Sequence, residues 1–211
     1  VEILSNFAMT LDGKIAPASR EFAQLGTDLD WQNMLALRAE VDAVIFGATN
    51  MRAYKQFGRA PDWAPKQPAS VVISHKLAGF STSWPFFKNP SDQRLLAVTS
   101  RLAPAVKKKF SAKSQILELS PKRPLAPQLV KALEAQGMKR LLIEGGGAIM
   151  WEFAKFNLIN EYHVTLVPKI LGGADAPTMV EGEGFTPKKL LNLKLVEARP
   201  IGDELYLIYR K

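Results

Sequence analysis

A chain of 211 residues with 47% apolar side chains can bury a sizeable core, and no composition break divides it, so one domain spanning 1–211 is expected. It has no cysteine, its two histidines (His75 and His163) lie far apart, no apolar run approaches the roughly 18 residues of a membrane span, and Val1–Ala8 lacks the basic flank of a secretory signal. These features exclude disulfides and thiolate metal sites, speak against any protein metal site or membrane span, and make a cytoplasmic home the default expectation. The net charge of +8 fits a nucleic-acid surface or the steering of a small phosphorylated ligand; apart from Lys107-Lys108-Lys109 the basic residues are scattered, which disfavours the first.

Glu2–Ala8 alternates loosely and reads as a first strand, followed by a D-G turn signal at Asp12-Gly13 and then Lys14, whose plain reading is a solvated lysine beside a hairpin turn. Trp31–Glu40 has helical spacing, with Trp31, Met34 and Leu35 on one face. Arg38 shares that face, where it either snorkels or reaches inward to an anion. Asp42–Gly47 reads as a buried strand ending in small and polar groups, Ala48-Thr49-Asn50, at the kind of edge where ligands gather in open α/β sheets. Val71–Ile73, ending in Ser74-His75-Lys76, and Leu95–Val98 are further strands, separated by Leu77–Asp92, which reads as a partly packed surface loop without catalytic content. A short helix after Pro104 carries the lysine run, Gln115–Leu119 is a strand, Pro121–Pro127 a linker, and Gln128–Gln136 a helix stopped by Gly137.

Leu141-Leu142-Ile143-Glu144-Gly145-Gly146-Gly147 is the stretch with the most chemical content. Three apolar residues end in a carboxylate and three glycines, and Ala148–Phe156 continues as a helix. A strand, glycine turn and helix admit a ligand close to the backbone and offer a helix start to a pyrophosphate, although Met150 breaks any GxGxxG pattern and the same turn also serves as a mere tight connection. Glu144 is costly to hide without a partner, which places it either at the mouth of a site or in a local cap. Beyond it, Glu161–Val167 is strand-like, Pro168–Pro187 is a glycine-containing loop of a length that is often functional, and Leu193–Ala198 with Glu204–Tyr209 forms a hairpin through Gly202-Asp203.

Four segments together resemble the riboflavin-biosynthesis pyrimidine reductases: Asn6–Ala16, Leu37–Gly47, Leu141–Gly147, and Asn160-Glu161 through Pro168–Gly173. The resemblance implies a dihydrofolate reductase-like α/β fold, a mixed, mostly parallel sheet flanked by helices with a C-terminal antiparallel hairpin. It also implies an NADPH-dependent reduction of the ribosyl group of a phosphorylated 5-amino-6-ribosylaminopyrimidine to ribityl. Under it, Lys14 and Glu144 face the substrate and manage proton transfer, and Arg38 and Arg59 bind substrate phosphate. Gly145, Gly146, Gly147, Ala148 and Ile149 hold the cofactor pyrophosphate. Gly47, Thr49 and Asn50 with Ser74, His75 and Lys76 take the adenosine side, Lys76 being suited to a 2′-phosphate. No deaminase zinc motif is present, as expected of a stand-alone reductase, and a homodimer is expected because Ala148–Phe156 and Glu161–Val167 are apolar all round.

Two departures from the family pattern stand out. Thr49-Asn50 replaces a Gly-Thr pair, and Tyr54–Arg59 replaces an Asp-Asp-Pro segment, removing carboxylates expected near the sugar. The second keeps open a dihydrofolate- or pterin-type reductase on the same fold. A basic nucleic-acid-binding protein is the alternative from another class, though the interleaved aromatics of a single-strand binder are missing.

Overall fold

The computed structural model describes all residues, Val1–Lys211. Nine strands form one sheet: β1 (Glu2–Thr10), β2 (Ala43–Gly47), β3 (Ala69–Ser74), β4 (Arg94–Val98), β5 (Gln115–Glu118), β6 (Arg140–Ile143), β7 (Glu161–Val167), β8 (Lys194–Ile201) and β9 (Glu204–Arg210). Their order is β5-β4-β3-β2-β6-β1-β7-β9-β8; neighbours are parallel from β5 through β7, and β9 and β8 add antiparallel at the far edge. Five helices connect them: α1 (Asp28–Ala39), α2 (Ala48–Tyr54), α3 (Pro104–Ser111), α4 (Leu125–Glu134) and α5 (Gly147–Ala154). The expected mostly parallel sheet with a terminal hairpin is therefore present. No helix is long and apolar enough to cross a membrane.

The central strands are apolar throughout because both sheet faces are covered. Alternate side chains divide between two cores. Ile3, Ile45, Val71, Leu141 and Ile143 join α4 and α5 on one side, while Leu4, Val44, Phe46, Val72 and Leu142 join Phe110 of α3 on the other. Register fixes this division, since Leu4 stands opposite Leu142 and Val44 opposite Leu142 on its other flank.

Local expectations are refined. Leu77–Asp92 is the partly packed loop expected, but Leu77, Phe80, Phe86 and Phe87 within it are buried in the second core around a 3₁₀ turn at Pro85–Phe87. Its aromatics lack helix or strand periodicity because each packs from irregular backbone, Phe86 edge-on to both Phe46 and Phe87. Ala48-Thr49-Asn50 follows the end of β2 as expected and there opens α2, while Pro127 lies inside α4 instead of ending a linker, near its start where a missing N–H costs no intrahelical bond. The apolar character of α5 and β7 is accounted for within one chain: Met150, Phe153, Ala154 and Tyr162 are buried in the first core. That character therefore gives no independent argument for a dimer.

Candidate active site

Order along the sheet brings the carboxyl ends of β1, β2 and β6 together, although they come from distant parts of the sequence, and a cavity of about 1230 Å³ opens above them. Its roof is one face of α1. Asp30, Trp31, Met34, Leu35 and Arg38 all line it, so the apolar stripe that helical spacing assigned to a core face instead covers the cavity, with Trp31 half exposed. The Arg20–Thr27 segment, α2, and the 85–94 segment supply the remaining walls.

Glu144 follows β6 directly and its side chain is 3% exposed. Arg38 meets it with a two-pronged contact: Nε donates to Oε1 at 2.7 Å and Nη2 to Oε2 at 2.6 Å, while Nη1 donates to the Arg59 carbonyl at 3.1 Å. Two buried charges are tolerated here because each hydrogen-bonding edge of the pair is matched. Phe57 lies beneath the guanidinium, 5.3 Å from ring centre to Cζ. The partner of Glu144 is thus Arg38 and not Lys14, and the Arg38 guanidinium is committed to protein acceptors instead of being free for a phosphate.

Lys14 is half-buried beside the cavity wall formed by Ile15 and Ala16, and its Nζ donates to the Ala176 carbonyl at 3.1 Å. Its backbone pairs with Thr178, so the plain reading of a solvated lysine in a hairpin does not hold. Asp12, which sequence reasoning passed over, anchors the same region. Its carboxylate accepts from the Thr10 hydroxyl at 2.6 Å and from the Leu171 and Gly172 N–H groups at 3.0 and 2.7 Å. The Thr10 hydroxyl and these two amides hold its pKa down at about 2. The D-G signal is a real turn, with Gly13 at φ +79°, but its carboxylate ties down the long 168–187 loop.

Beyond Glu144 the glycine turn places Gly146 at φ 84°, ψ 129°, a region that residues with a Cβ rarely enter, and starts α5 without a side-chain cap. A Cβ on Gly147 would come within 2.5 Å of the Thr178 carbonyl, and one on Gly145 within 2.8 Å of the Phe46 Cβ. Gly146, Gly147, Ala148 and Ile149 line the cavity together with Gly47, Thr49 and Asn50 and share one space with Glu144, whereas Gly145, expected with them, does not line it and packs against Phe46 and Asn50. An uncapped helix start reached only past glycine suits an anionic group.

The third expected cofactor segment is separate. Ser74 is buried with its hydroxyl accepting from the Leu77 N–H at 3.1 Å, and His75 Nδ1 pairs with the Thr99 hydroxyl at 3.0 Å. None of Ser74, His75 and Lys76 lines the cavity, although Ile73 does. Arg59 does line it and is ion-paired with Asp92, which also meets the buried Arg94. Arg94 in turn donates to the Phe86, Asn89 and Asp92 carbonyls, fixing the 86–92 wall. Asp92, in the loop before β4, therefore brings a carboxylate to the cavity from a different part of the chain than the Tyr54–Arg59 segment where the departure removed carboxylates. At the opposite end Glu204 accepts from the Thr27 N–H and hydroxyl and from the Tyr206 hydroxyl, at 2.7 to 2.9 Å. Of the basic run, Lys107 is paired with Glu118 at 2.7 Å on the surface.

Comparison with known proteins shows the family and the fold. The model of the family described as the RibD C-terminal domain matches residues 1–207. A 2,5-diamino-6-ribosylamino-4(3H)-pyrimidinone 5′-phosphate reductase from Methanothermobacter thermautotrophicus is 27% identical over 213 residues, covering 98% of this chain and 96% of its own. The reductase of the same name from Archaeoglobus fulgidus is 29% identical over 197 residues, covering 88% and 89%. Among solved structures, Acinetobacter baumannii RibD superposes with a TM-score of 0.82 at 20% identity; the match covers 99% of this chain and 57% of that one, a little over half its length. A pyrimidine reductase-like protein from Corynebacterium diphtheriae gives 0.83 at 17% identity, covering 99% and 91%, so the fold is shared.

Proposed function

Because the chain belongs to the RibD C-terminal domain family, we propose that it is an NADPH-dependent reductase of riboflavin biosynthesis, converting the ribosyl group of a phosphorylated 5-amino-6-ribosylaminopyrimidine to ribityl. The observation that carries the reading is the junction of β6 and α5. One turn sets a buried, ion-paired carboxylate beside the uncapped start of α5, within one cavity. A cavity of that volume has room for a dinucleotide end and a substrate side by side.

Gly146, Gly147 and Ala148 are the residues for the cofactor pyrophosphate, Gly47, Thr49 and Asn50 its neighbours on β2 and α2, and Ser74, His75 and Lys76 the candidates for a more distant adenosine and 2′-phosphate contact. The reduced nicotinamide supplies a hydride. The residues around the substrate manage the rest. Opening the sugar ring moves a proton to the ring oxygen as the C–O bond breaks and leaves a C=N bond to the amino nitrogen; hydride at that carbon and a proton at nitrogen complete the ribitylamine. Glu144, held at both oxygens by Arg38, acts as a fixed anchor for the substrate rather than a freely rotating proton carrier. Lys14 lies next to the Ile15–Ala16 wall without itself lining the cavity; one of its three N–H donors is on Ala176, and a turn of its side chain toward the cavity would offer the other two to the substrate. Arg59 and Lys88 provide positive charge on the opposite wall for the phosphate.

A homodimer is part of the proposal. Its support is the edge strand β8, on which Leu195 and Val196 are about half exposed, a surface that invites pairing. Light scattering at micromolar concentration should give a dimer; a monomer counts against that part. The function itself is tested by turnover with NADPH against the diaminopyrimidinone and uracil ribosyl phosphates and dihydrofolate, in parallel. Consumption of NADPH with a ribosylaminopyrimidine supports the reading, and consumption with dihydrofolate alone overturns it.

A further inference from the structure

The roof helix α1 lies over a space rather than a packed core, because its apolar stripe of Trp31, Met34 and Leu35 faces the cavity. Burial of such a stripe is what ordinarily fixes where a helix sits, and a helix of 12 residues is marginal on its own in water. The position of α1 is therefore set largely at its ends. At the far end Leu37 packs against the second core and Arg38 is joined to Glu144. At the start Thr27 is the N-cap residue, yet its side chain does not cap the helix. It is held instead by Glu204, the first residue of β9, whose Oε1 accepts from the Thr27 N–H at 2.7 Å and whose Oε2 accepts from the Thr27 hydroxyl at 2.9 Å. Tyr206 donates to the same Oε2 at 2.9 Å. Glu204 is 4% exposed and does not line the cavity. Lys169, just beyond β7, completes the grip: its Nζ donates to the Leu25 carbonyl at 2.5 Å and the Gln24 carbonyl at 3.3 Å.

Resting on the functional reading above, we propose that Glu204 is a positioning residue for the reaction: by holding both polar groups of Thr27 it sets the depth at which the α1 face closes over the substrate, without touching the substrate itself. Two buried carboxylates from two strands, Glu204 and Glu144, thus hold one helix at points eleven residues apart, about 16 Å along its axis. Reach matters here more than charge. The Thr27 and Tyr206 hydroxyls can each turn from donor to acceptor, so an amide of the same length still accepts the Thr27 N–H with its oxygen and donates to a hydroxyl with its nitrogen. A carboxylate one methylene shorter keeps the charge but cannot span to Thr27 and Tyr206 together. A helix start released from these bonds is free to shift, and a misplacement of about 1 Å costs a reaction between positioned groups about 100-fold.

Three variants of the full chain separate reach from charge: Glu204→Gln keeps the length, Glu204→Asp keeps the charge, and Glu204→Ala keeps neither. They are compared by turnover of a ribosylaminopyrimidine phosphate with NADPH, by fluorescence titration of NADPH, by thermal melting, and by fluorine NMR of protein labelled with fluorotryptophan, the Trp31 signal being identified with Trp31→Phe. Glu204→Asp and Glu204→Ala should lower kcat by about 10- to 100-fold while NADPH affinity stays within about twofold, and Glu204→Gln should stay within about threefold of wild type. The Trp31 signal should shift in the first two and stay in place in Glu204→Gln. Wild-type kcat in Glu204→Asp and Glu204→Ala, or a loss as deep in Glu204→Gln as in Glu204→Ala, overturns the assignment and leaves Glu204 to the stability of the fold. If Glu204→Ala does not fold, Thr27→Val, which removes only the hydroxyl bond, decides in its place: a lower kcat with a shifted Trp31 signal supports the clamp, and wild-type behaviour in both overturns it. A wild-type protein that turns over no ribosylaminopyrimidine removes the reductase reading, while the Trp31 signals still decide whether Glu204 sets the roof.

Discussion

Arg38 and Glu144, separated by 106 positions in sequence, meet through two hydrogen bonds of 2.7 and 2.6 Å with side chains 7% and 3% exposed. The pair ties the roof of the cavity to the strand beneath it, so the substrate space depends on an ion pair as much as on packing.

Breaking that pair from one side leaves a buried charge alone. Arg38→Met should therefore destabilise the fold by about 3–5 kcal/mol in urea titrations. Adding Glu144→Gln should recover most of it, because the remaining charge is removed. An equal loss in the single and double variants would contradict this coupling.

Asp12 makes a prediction about acid. Its folded pKa is depressed to about 2 from the ordinary 3.8, so its contribution to stability is present above the unfolded value and is lost as pH falls from roughly 4 toward 2. The difference in melting temperature between wild type and Asp12→Asn should stay constant at higher pH and close across that window. Amide exchange at Leu171 and Gly172 should be faster in the variant at neutral pH, since both N–H groups lose their charged acceptor.

These two carboxylates mark what was legible in the sequence. The strands and the strand–glycine–helix junction followed from periodicity and turn chemistry, since Leu141–Ile143 and Val44–Phe46 are apolar runs of the right length. Glu144 was found because a carboxylate after a buried strand needs a partner, yet the partner itself, Arg38, comes from another element and is fixed only by tertiary packing. Asp12 looked like a turn residue because the N–H groups that donate to it lie 159 and 160 positions away. Asp30 had a usable signal, Thr27 three residues before it at a helix start, but the Thr27 hydroxyl bonds Glu204 instead of capping α1. The 77–92 segment hid its buried role because Phe80, Phe86 and Phe87 follow no regular spacing.

The cofactor side makes its own claim. Gly147→Ala would press a Cβ against the Thr178 carbonyl and the Glu181 side chain, each at 2.5 Å, so the 178–181 loop must move. The variant should lose roughly 1–3 kcal/mol of stability and should bind NADPH more weakly in fluorescence titration. Lys76→Ala should weaken NADPH by roughly tenfold or more while leaving NADH nearly unchanged, as removal of a charge-assisted phosphate contact would. Equal losses for both cofactors would take Lys76 out of that role.

If Glu144 anchors the substrate, Glu144→Gln should keep NADPH binding, because the backbone of the glycine turn is untouched, and lower turnover by roughly 100-fold or more, the scale of a lost electrostatic contact to the reacting group. Lys14→Met should act in the same direction, with a double variant less than additive if the two work as a unit. Normal turnover in Glu144→Gln would assign the carboxylate to structure.

The central claim, hydride delivery to the sugar carbon, is read most directly by supplying NADPH deuterated at the transferring position together with the diaminopyrimidinone ribosyl phosphate and locating the label in the product. The account predicts one deuterium on the ribityl carbon bonded to nitrogen. Deuterium in the pyrimidine ring, or a product carrying none, would contradict it.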